Sequence, residues 1–446
     1  MFESKAHNDT GFNVGSLKIF TLGFVRATSR ISSAVAMKLV LTVLMGCVAA
    51  AGQTLTTLYN FGSSPQDGAD PLAGVVFDQA GNLVGAAAIG SGPVRGTIFQ
   101  LSPPATPGSP WTEATLKRFR NNPDGAFPEC RLIVTSTGEL IGTAFGGGAN
   151  NAGIAFAVLP PAVPGDPWKK QVMYNFGNFP SDAVNPNAGL LARGEVYYGV
   201  GSGGANLSGA IFRLRPPARR GDPWIETILY SFAERFSGDA AFPSGELITG
   251  ENGKLYGTAL LGGANDVGAV YELSPPAVAG GRWTEKVIFS FDGTNGSSPS
   301  GRLLLDASGT LYGTTGGGGA SQEGTVFQLA PPASPGEPWT QTILHSFSGV
   351  DGSSPTAGVI KNSQGRLFGT AEHGGNGGPR DSGGVVFALD PPAHTGGRWT
   401  ETILYAFGGP DGFAPASLLT LRDGKLYGTT TEGGFFGTGT VFVVKP

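Results

Sequence analysis

The stretch that decides the fold is residues 295–347, NGSSPSGRLLLDASGTLYGTTGGGGASQEGTVFQLAPPASPGEPWTQTILHSF. It contains four short apolar runs, SGRLLLD, TLYGTT, GTVFQLA and WTQTILHSF, separated by turns rich in glycine and proline. Short runs of this kind, without a 3.6-residue period, indicate β-strands rather than helices. The stretch therefore predicts one antiparallel sheet of four strands.

Two markers show that this unit is repeated along the chain. A tryptophan that follows a Pro-Pro pair recurs at intervals of 57, 56, 59, 56 and 60 residues. Its positions are Trp111, Trp168, Trp224, Trp283, Trp339 and Trp399. The second marker is an Asp or Asn four positions before a proline, at Asp67, Asp124, Asp182, Asp239, Asn295, Asp351 and Asp411. Seven units of four strands predict an all-β, seven-bladed propeller over residues 53–446.

The two ends of the repeat array predict how the ring closes. Before the first unit stands TLTTLYNF, residues 54–61, which has the pattern of a fourth strand. The last unit ends in GTVFVVKP, a third strand with no fourth strand after it. We therefore expect the N-terminal strand to pair within the last blade. Such closure leaves no exposed sheet edge.

Residues 1–52 form a predicted leader. From Met37, MKLVLTVLMGCVAAAGQT contains one lysine, a short apolar run and then small residues, the pattern of a secretory signal. The apolar run is too short to span a bilayer. Cleavage near Ala51 would release the propeller, whereas LMGC resembles a bacterial lipobox and would place a lipid anchor on Cys47. Either alternative predicts a secreted or cell-surface bacterial protein.

Charge and cysteine content exclude some classes of function. Residues 53–446 carry 24 Lys and Arg against 31 Asp and Glu, a net charge of −7. This balance provides no basic surface for nucleic acid or for an anionic membrane. Cys130 is the one cysteine in that range, and it falls in a column of small residues two positions after the marker proline. We therefore interpret Cys130 as a core residue, and the tryptophans as packing between blades.

The Asp or Asn marker itself has two interpretations. Such a side chain before a strand commonly bonds the backbone of its own turn. A ring of these carboxylates around a channel mouth would instead suit calcium, which prefers oxygen ligands. Repetition of one residue type in all units favours the structural role, because a catalytic site needs groups with different roles. No cofactor is predicted, and calcium remains the alternative.

Two departures from the repeat are candidates for a binding site. Three positions after the marker proline, Arg131, Glu246 and Arg302 replace the glycine or leucine of the other units. In the sixth unit, the loop from Gly369 to Gly384 spans 15 residues, against 11 from Gly313 to Gly324. The extra residues include Glu372, His373, Arg380 and Asp381. Exposed variation without consequence is the alternative explanation for both, since surface loops accept insertions at little cost.

Blade geometry predicts that both departures share a face. Loops after the second and fourth strands emerge on one side of a propeller, and loops after the first and third strands emerge on the other. The marker residues, the charged column and the long sixth loop all fall on the first side. We therefore expect a ligand to dock there, near the channel mouth.

No catalytic motif is recognisable. The histidines beyond the leader, His345, His373 and His394, do not form a metal-binding pattern, and neither G-x-S-x-G nor a P-loop lysine occurs. A carboxylate pair for glycoside cleavage is compatible with the sequence, but nothing singles one out.

The unit LYGTT-GGG…GTVF-x-L-x-PP…WTETILYSF resembles the GloVer-type tandem repeat of exported "choice-of-anchor" bacterial proteins. It is more loosely similar to kelch-like propellers. The first resemblance covers all seven units, is weakest at GEVYYGVGSGG in the third, and implies export and display. We therefore expect an exported, non-catalytic propeller that binds a glycan or a surface protein on one face. The alternative is an extracellular polysaccharide hydrolase or lyase on the same scaffold.

Overall fold

Strands are nearly the only regular structure in the computed structural model, which describes residues 54–64, 67–90, 93–106, 108–163, 165–219, 222–334, 336–375, 382–394 and 396–446. They assemble into seven four-stranded antiparallel sheets, one for each repeat. The predicted seven-bladed propeller is confirmed. The predicted leader, with Met37 and Cys47, lies outside the described residues, as do Arg380 and Asp381.

Each blade contains an inner, a second, a third and an outer strand. Blade 1 contains Val75–Phe77, Leu83–Ala87, Thr97–Ser102 and Thr112–Arg118, and blade 2 contains Ile133–Val134, Leu140–Ala144, Ile154–Leu159 and Lys169–Asn175. Blade 3 contains Leu191–Arg193, Val196–Gly203, Ala210–Arg215 and Ile225–Ser231, and blade 4 contains Ile248–Thr249, Leu255–Gly262, Ala269–Ser274 and Thr284–Ser290. Blade 5 contains Leu304–Leu305, Leu311–Thr315, Thr325–Ala330 and Thr340–Ser346, and blade 6 contains Val359–Lys361, Leu367–Ala371, Val385–Asp390 and Thr400–Ala406. Blade 7 contains Thr420–Arg422, Lys425–Thr430, Thr440–Val444 and Leu55–Asn60.

A few short segments supplement the blades. Gly68–Ala69 pairs with Ile89–Gly90 in blade 1. Ala183–Val184 and Ala240–Pro243 pair with the ends of the second strands of blades 3 and 4. A 3-10 turn at Glu251–Gly253 precedes the second strand of blade 4.

The glycine of the LYGT motif leaves room for an aromatic ring of the third strand. A Cβ on Gly313 would lie 2.6 Å from the ring of Phe327, so that no side chain fits there. Phe327 in turn meets Phe291 of the preceding blade edge-to-face, with ring centroids 5.2 Å apart. Such pairs contribute about 0.5–1.5 kcal/mol beyond burial. The same aromatic contact recurs at all seven blade interfaces.

The inner strands are shorter than the sequence predicts. The run SGRLLLD, residues 300–306, is a strand only at Leu304–Leu305. Near the axis the backbones of adjacent blades crowd together: a Cβ on Gly301 would overlap the backbone of Gly358 in the next blade. Arg302 and Gly358 form a bridge between the two blades instead. The predicted column of small residues is therefore explained by crowding, and Cys130 is buried within it.

The ring closes through the N-terminal strand, as predicted. Leu55–Asn60 runs antiparallel to Thr440–Val444, with Leu55 opposite Val444 and Asn60 opposite Thr440. Just after this strand, Phe61 is fully buried and contacts Phe99 of blade 1. The first residues of the propeller therefore join its last blade to its first.

The loops divide between two faces. The loop that enters a blade from the preceding outer strand forms bridges with the loop between that blade's second and third strands, as in Ala126 with Gly146 and Ser297 with Gly317. We call the face that carries these loops the Asp-loop face. The opposite side, which carries the Pro-Pro segments, is the Pro-loop face. Within the described residues, no helix is long and apolar enough to cross a membrane.

Candidate functional site

The Asp markers fasten the loops at the blade interfaces. Asp182 is 2% exposed, and its Oδ2 accepts hydrogen bonds from the Tyr174 hydroxyl at 3.2 Å and the Asn178 backbone N–H at 2.7 Å. Asp239 binds the Tyr230 hydroxyl at 2.8 Å and a loop N–H in the same way. Asp67 and Asp411 likewise bind a tyrosine of the preceding outer strand, Tyr59 and Tyr405. These carboxylates therefore bond their own loops.

Three interfaces lack the tyrosine, and the marker has a different bonding arrangement in each. Phe289 cannot donate a hydrogen bond, and the marker of that interface is Asn295, which accepts the Asp292 N–H at 2.9 Å. His345 takes the tyrosine's place beside Asp351, at 3.0 Å. These matched changes favour the structural interpretation of the column.

Asp124 lacks a tyrosine and forms an ion pair with Lys170 at 2.6 Å. In the part of the chain that the structure describes, no group of three or more His, Cys, Asp or Glu side chains is arranged to hold a metal ion. Calcium binding by the marker ring therefore stays a prediction from the sequence.

A second carboxyl group, which the sequence analysis missed, faces several of these markers. It comes two positions after the tryptophan, on the outer strand of the following blade, at Glu113, Glu226, Glu285 and Glu401. The Tyr174 hydroxyl lies 3.3 Å from Glu226 Oε2 as well as 3.2 Å from Asp182 Oδ2. Its sequence signal was the acid of the WTET motif, which becomes Gln341 in the interface where the marker is Asn295.

Each such pair favours one neutral carboxyl group. Burial, together with the hydrogen bond and charge of Asp182, raises the pKa of Glu226 to about 9. Burial and the charge of Asp239 raise the pKa of Glu285 to about 9. For Glu401, burial raises the pKa to about 7 against the opposing effect of His345. The interfaces therefore hold acid–carboxylate contacts.

The charged column lines a cavity on the ring axis. Arg131, Glu246 and Arg302 surround a space of about 120 Å³. Glu246 Oε2 lies 3.3 Å from Arg302 Nε. The Glu246 side chain extends over Gly189 of the neighbouring blade, where a Cβ would overlap its Oε1. Gly189 therefore makes room for the long side chain of Glu246.

Of the three side chains, Arg131 has the weakest hydrogen bonding. Its closest hydrogen-bond acceptor is Thr420 Oγ1, 3.4 Å from Nη2, and its buried Nε has no partner among the described residues. Burial lowers the pKa of Arg131, while the charge of Glu246 raises it. Burial raises the pKa of Glu246, and the two arginines oppose that shift. A guanidinium without full compensation therefore faces the cavity.

A groove of about 690 Å³ adjoins this cavity on the Asp-loop face, over blades 1 to 3. Glu129 lines both spaces, which therefore adjoin at this side chain. The groove combines apolar side chains, amides and charged groups. They are Ile89, Phe127 and Phe145; Asn121, Asn151 and Asn185; and Asp70, Arg95 and Glu129.

One repeated backbone feature presents three of these side chains. The residue before the marker proline has positive φ in every unit, for example 59° at Asp70, 58° at Phe127 and 47° at Asn185. Positive φ is uncommon for residues other than glycine, so surrounding bonds must hold it. At Phe127 they are N–H to Arg95 O at 2.8 Å and Phe145 N–H to Phe127 O at 2.9 Å. Every unit has this backbone conformation, whereas the side chain differs between units.

That column is a second feature that the sequence analysis missed. From unit 1 to unit 7 it contains Asp70, Phe127, Asn185, Phe242, Ser298, Ser354 and Ala414. The first four are large or charged and the last three are small. Comparing the residue before each marker proline would have revealed this asymmetry.

Asp70 and Glu129 supply carboxyl groups without partners. Neither side chain accepts a hydrogen bond from a described residue. Burial raises the pKa of Asp70, with a further rise from Glu432. Burial also raises the pKa of Glu129, with a further rise from Asp70. Both groups are available to a ligand in the groove.

Exposed aromatic side chains also favour this face. Every phenylalanine with a large exposed fraction in the described residues belongs to an Asp-loop-face loop. They are Phe145, Phe179, Phe236, Phe242, Phe435 and Phe436. Exposed apolar groups gathered on one side of a protein commonly mark a binding surface.

The sixth blade contributes at the cavity rim. Thr356 lines the cavity, and its hydroxyl donates to Glu372 Oε1. His373 Nε2 lies 4.0 Å from Glu372 Oε2, and its ring contacts Phe413 of blade 7. Glu372 and His373 therefore lie near the mouth, and ligand binding by them stays a prediction. The other two predicted residues of this loop, Arg380 and Asp381, lie outside the described residues.

The family model described as Gloeobacter/Verrucomicrobia repeat matches residues 109–277 and 224–442, which together span about three quarters of the chain. No curated protein matches the sequence.

Among solved structures, the chain is similar to an unknown function protein from Dyadobacter fermentans DSM 18053, at 12% identity and a TM-score of 0.43, over 88% of this chain and 97% of that one. A putative 6-phosphogluconolactonase from Bacteroides uniformis ATCC 8492 is similar at 10% identity and a TM-score of 0.46, over 80% and 89%. The Cps50 (Swd1) β-propeller domain of Myceliophteria thermophila is similar at 11% identity and a TM-score of 0.47, over 87% of this chain and 99% of that one. Likenesses at this level carry nothing about activity.

Proposed function

The chain belongs to the Gloeobacter/Verrucomicrobia repeat family, and we propose that it is an exported propeller that binds a glycan in the groove of the Asp-loop face. The observation that carries the proposal is the groove itself. Amide, carboxyl and aromatic side chains converge there, over blades 1 to 3, and at the position before the marker proline units 5 to 7 have small residues instead.

The chemistry of the groove suits a sugar. Sugar hydroxyls can donate to the carboxyl groups of Asp70 and Glu129 and accept from amides such as Asn121. The apolar C–H faces of a sugar ring can pack on Phe127 and Phe145. A concave site with an apolar lining and a few oriented polar groups is the usual form of a small-ligand site. A protein partner would instead need about 800 Å² of contact surface on each side.

Binding to a panel of oligosaccharides tests this proposal. Phe127→Ala should weaken binding of a recognised oligosaccharide about tenfold, because the stacking surface is lost. Phe435→Ala is the matched control: it removes an exposed phenylalanine from the same face, outside the groove. Equal effects of the two changes, or no binding by the parent protein, would refute the glycan proposal. Binding to a purified surface protein instead would favour the other predicted partner.

Export is the second part of the proposal and rests on the leader sequence. Processing would produce a mature chain that begins between Cys47 and Gln53, with a lipid on Cys47 if the lipobox is used. N-terminal sequencing of protein from the native host distinguishes these forms, and radiolabelled palmitate identifies the lipidated one. An intact leader on cytoplasmic protein would contradict export.

A hydrolase or lyase is the second candidate, because Asp70 and Glu129 place two carboxyl groups in one groove. Glycoside cleavage commonly uses such a pair, one as acid and the other as base or nucleophile. Release of reducing ends from polysaccharide substrates measures it. Cleavage that is abolished by Asp70→Asn and by Glu129→Gln would make the protein an enzyme. Binding without cleavage would make it a binding module.

A further inference from the structure

We propose that the axial cavity is a carboxylate subsite and that the glycan recognised in the adjoining groove contains uronic acid. The sugar part of this inference rests on the proposed function. The carboxylate part rests on the cavity alone.

The charge balance of the cavity favours one anion. Arg131, Glu246 and Arg302 together carry a net charge of +1 when ionised, and Glu129, which also lines the cavity, leaves that charge uncompensated while it is protonated. Burial and the charge of Asp70 raise the pKa of Glu129, which favours the protonated form. Glu246 lies 3.3 Å from Arg302 and also interacts with the charge of Arg131, so the two arginines share one uncompensated positive charge. A phosphate, with close to two negative charges, would exceed this balance, whereas one carboxylate matches it.

The hydrogen-bonding state of Arg131 points the same way. Its Nε is buried without a described partner, and its Nη2 has only the 3.4 Å contact with Thr420. Burying a charged donor without a partner is costly. A carboxylate offers two oxygens that match the fork of a guanidinium, and such charge-assisted pairs are among the strongest hydrogen bonds in proteins.

The cavity is large enough for this group and borders the groove. Its volume of about 120 Å³ exceeds what one water molecule needs several-fold. Gly189, in the same column as the charged residues, leaves room for the Glu246 side chain. Glu129 borders both cavity and groove, so a sugar held in the groove can direct a substituent inwards.

Uronic acids fit this arrangement because their carboxylate is attached directly to the sugar ring. The ring hydroxyls would face Glu129 and Asp70 at the mouth, where hydrogen-bond donors are favoured. The carboxylate would face Arg131 deeper in the channel. Two carboxyl groups at the mouth would disfavour a second anion there, so that one uronate is accommodated at a time.

The experiment compares an alginate hexasaccharide, which is built of uronic acids, with neutral cellohexaose on the full-length protein by calorimetry. We expect at least tenfold tighter binding of the uronate. Arg131→Gln should remove that preference. Arg282→Gln, an exposed arginine on the Pro-loop face, should retain it. Glu246→Gln should strengthen uronate binding, because it removes the competing carboxylate, and it tests the proposal even if Arg131→Gln does not fold.

Sodium acetate, compared with sodium chloride at equal ionic strength, separates the two parts of the inference. If acetate raises the melting temperature of the parent but not of Arg131→Gln, and neither hexasaccharide binds, the carboxylate subsite holds and the glycan proposal fails. If acetate has no effect and the uronate has no preference, the inference is overturned, even when a neutral glycan binds. Tighter binding of a sulfated hexasaccharide than of the uronate would overturn the carboxylate assignment.

Discussion

The blade interfaces and the axial cavity derive from the same seven repeats, but variation has opposite consequences in the two places. At the interface that follows blade 3, Tyr230, Asp239 and Glu285 form a buried polar cluster. At the next interface Phe289, Asn295 and Gln341 replace all three. Between these two interfaces all three groups change together. In the cavity, Arg131 replaces glycine, and its Nε has no partner among the described residues.

This difference distinguishes residues that stabilise the fold from residues that we propose to bind a ligand. Matched changes preserve the hydrogen bonds of a buried interface, because an unpaired polar group there destabilises the fold. An unmatched charged group at an accessible cavity remains costly unless something else compensates it. We therefore assign the interface columns to stability, and the proposal assigns ligand binding to the axial column.

The largest expected effect concerns the interface that closes the ring. Deleting residues 54–61 removes the outer strand of blade 7 and the buried Leu58 and Phe61. Loss of two such side chains alone costs about 5 kcal/mol or more. Thermal unfolding should show a large fall in melting temperature, whereas removing Lys445 and Pro446 should have little effect. A melting temperature within a degree or two of the parent would contradict closure by this strand.

The next effect compares a single substitution at a blade interface with a matched set of three substitutions at the same interface. Asp239→Ala leaves Tyr230 and a loop N–H without their acceptor and should cost about 1–3 kcal/mol of unfolding free energy. The triple change Tyr230→Phe, Asp239→Asn, Glu285→Gln reproduces the set found at the next interface and should cost less than about 1 kcal/mol. Chemical denaturation measures both. A triple variant that is less stable than Asp239→Ala would show that the columns are not coupled.

The acid–carboxylate contacts predict a pH dependence. The folded-state pKa of Glu226 and of Glu285 is raised to about 9, well above the ordinary value of a glutamate. Below about pH 4 both glutamates are protonated in the folded and in the unfolded chain. As the pH rises towards 9, the unfolded chain releases these protons first, so the free energy of unfolding falls. The double variant Glu226→Gln, Glu285→Gln should therefore gain stability relative to the parent between pH 5 and pH 9. A constant difference across that range would contradict the shared-proton interpretation.

The smallest expected effect on stability is in the cavity. Arg131→Leu removes an incompletely paired buried charge, and replacing such charges by apolar groups is often neutral or stabilising. We expect a change within about 1 kcal/mol in denaturation, together with loss of uronate binding. A loss of several kcal/mol would instead place Arg131 among the structural residues.

Much of the fold could be predicted from the sequence, because the pattern of each strand occurs seven times along the chain. The marker spacing identified the blades, and the unpaired strands at the two ends identified the closure. The inner strands could not be predicted in detail. Their length depends on crowding between blades, as at Gly301, which no local pattern expresses.

The site could be predicted in part. Arg131, Glu246 and Arg302 were identifiable because they break a column of glycine and leucine, and the structure brings them together. The groove was not identified, because Asp70 and Phe127 occupy a position whose positive φ is visible only in the structure. The pairing of Asp182 with Glu226 joins residues 44 positions apart in sequence and likewise depends on how adjacent blades pack.

Hydrogen–deuterium exchange of the full-length protein with and without the alginate hexasaccharide tests the central claim most directly. The account predicts slower exchange in peptides covering residues 119–131 and 143–153, which line the groove and the cavity. It predicts unchanged exchange in residues 275–283 and 336–339 of the Pro-loop face. Protection of the Pro-loop peptides, or none in the groove peptides, would contradict it.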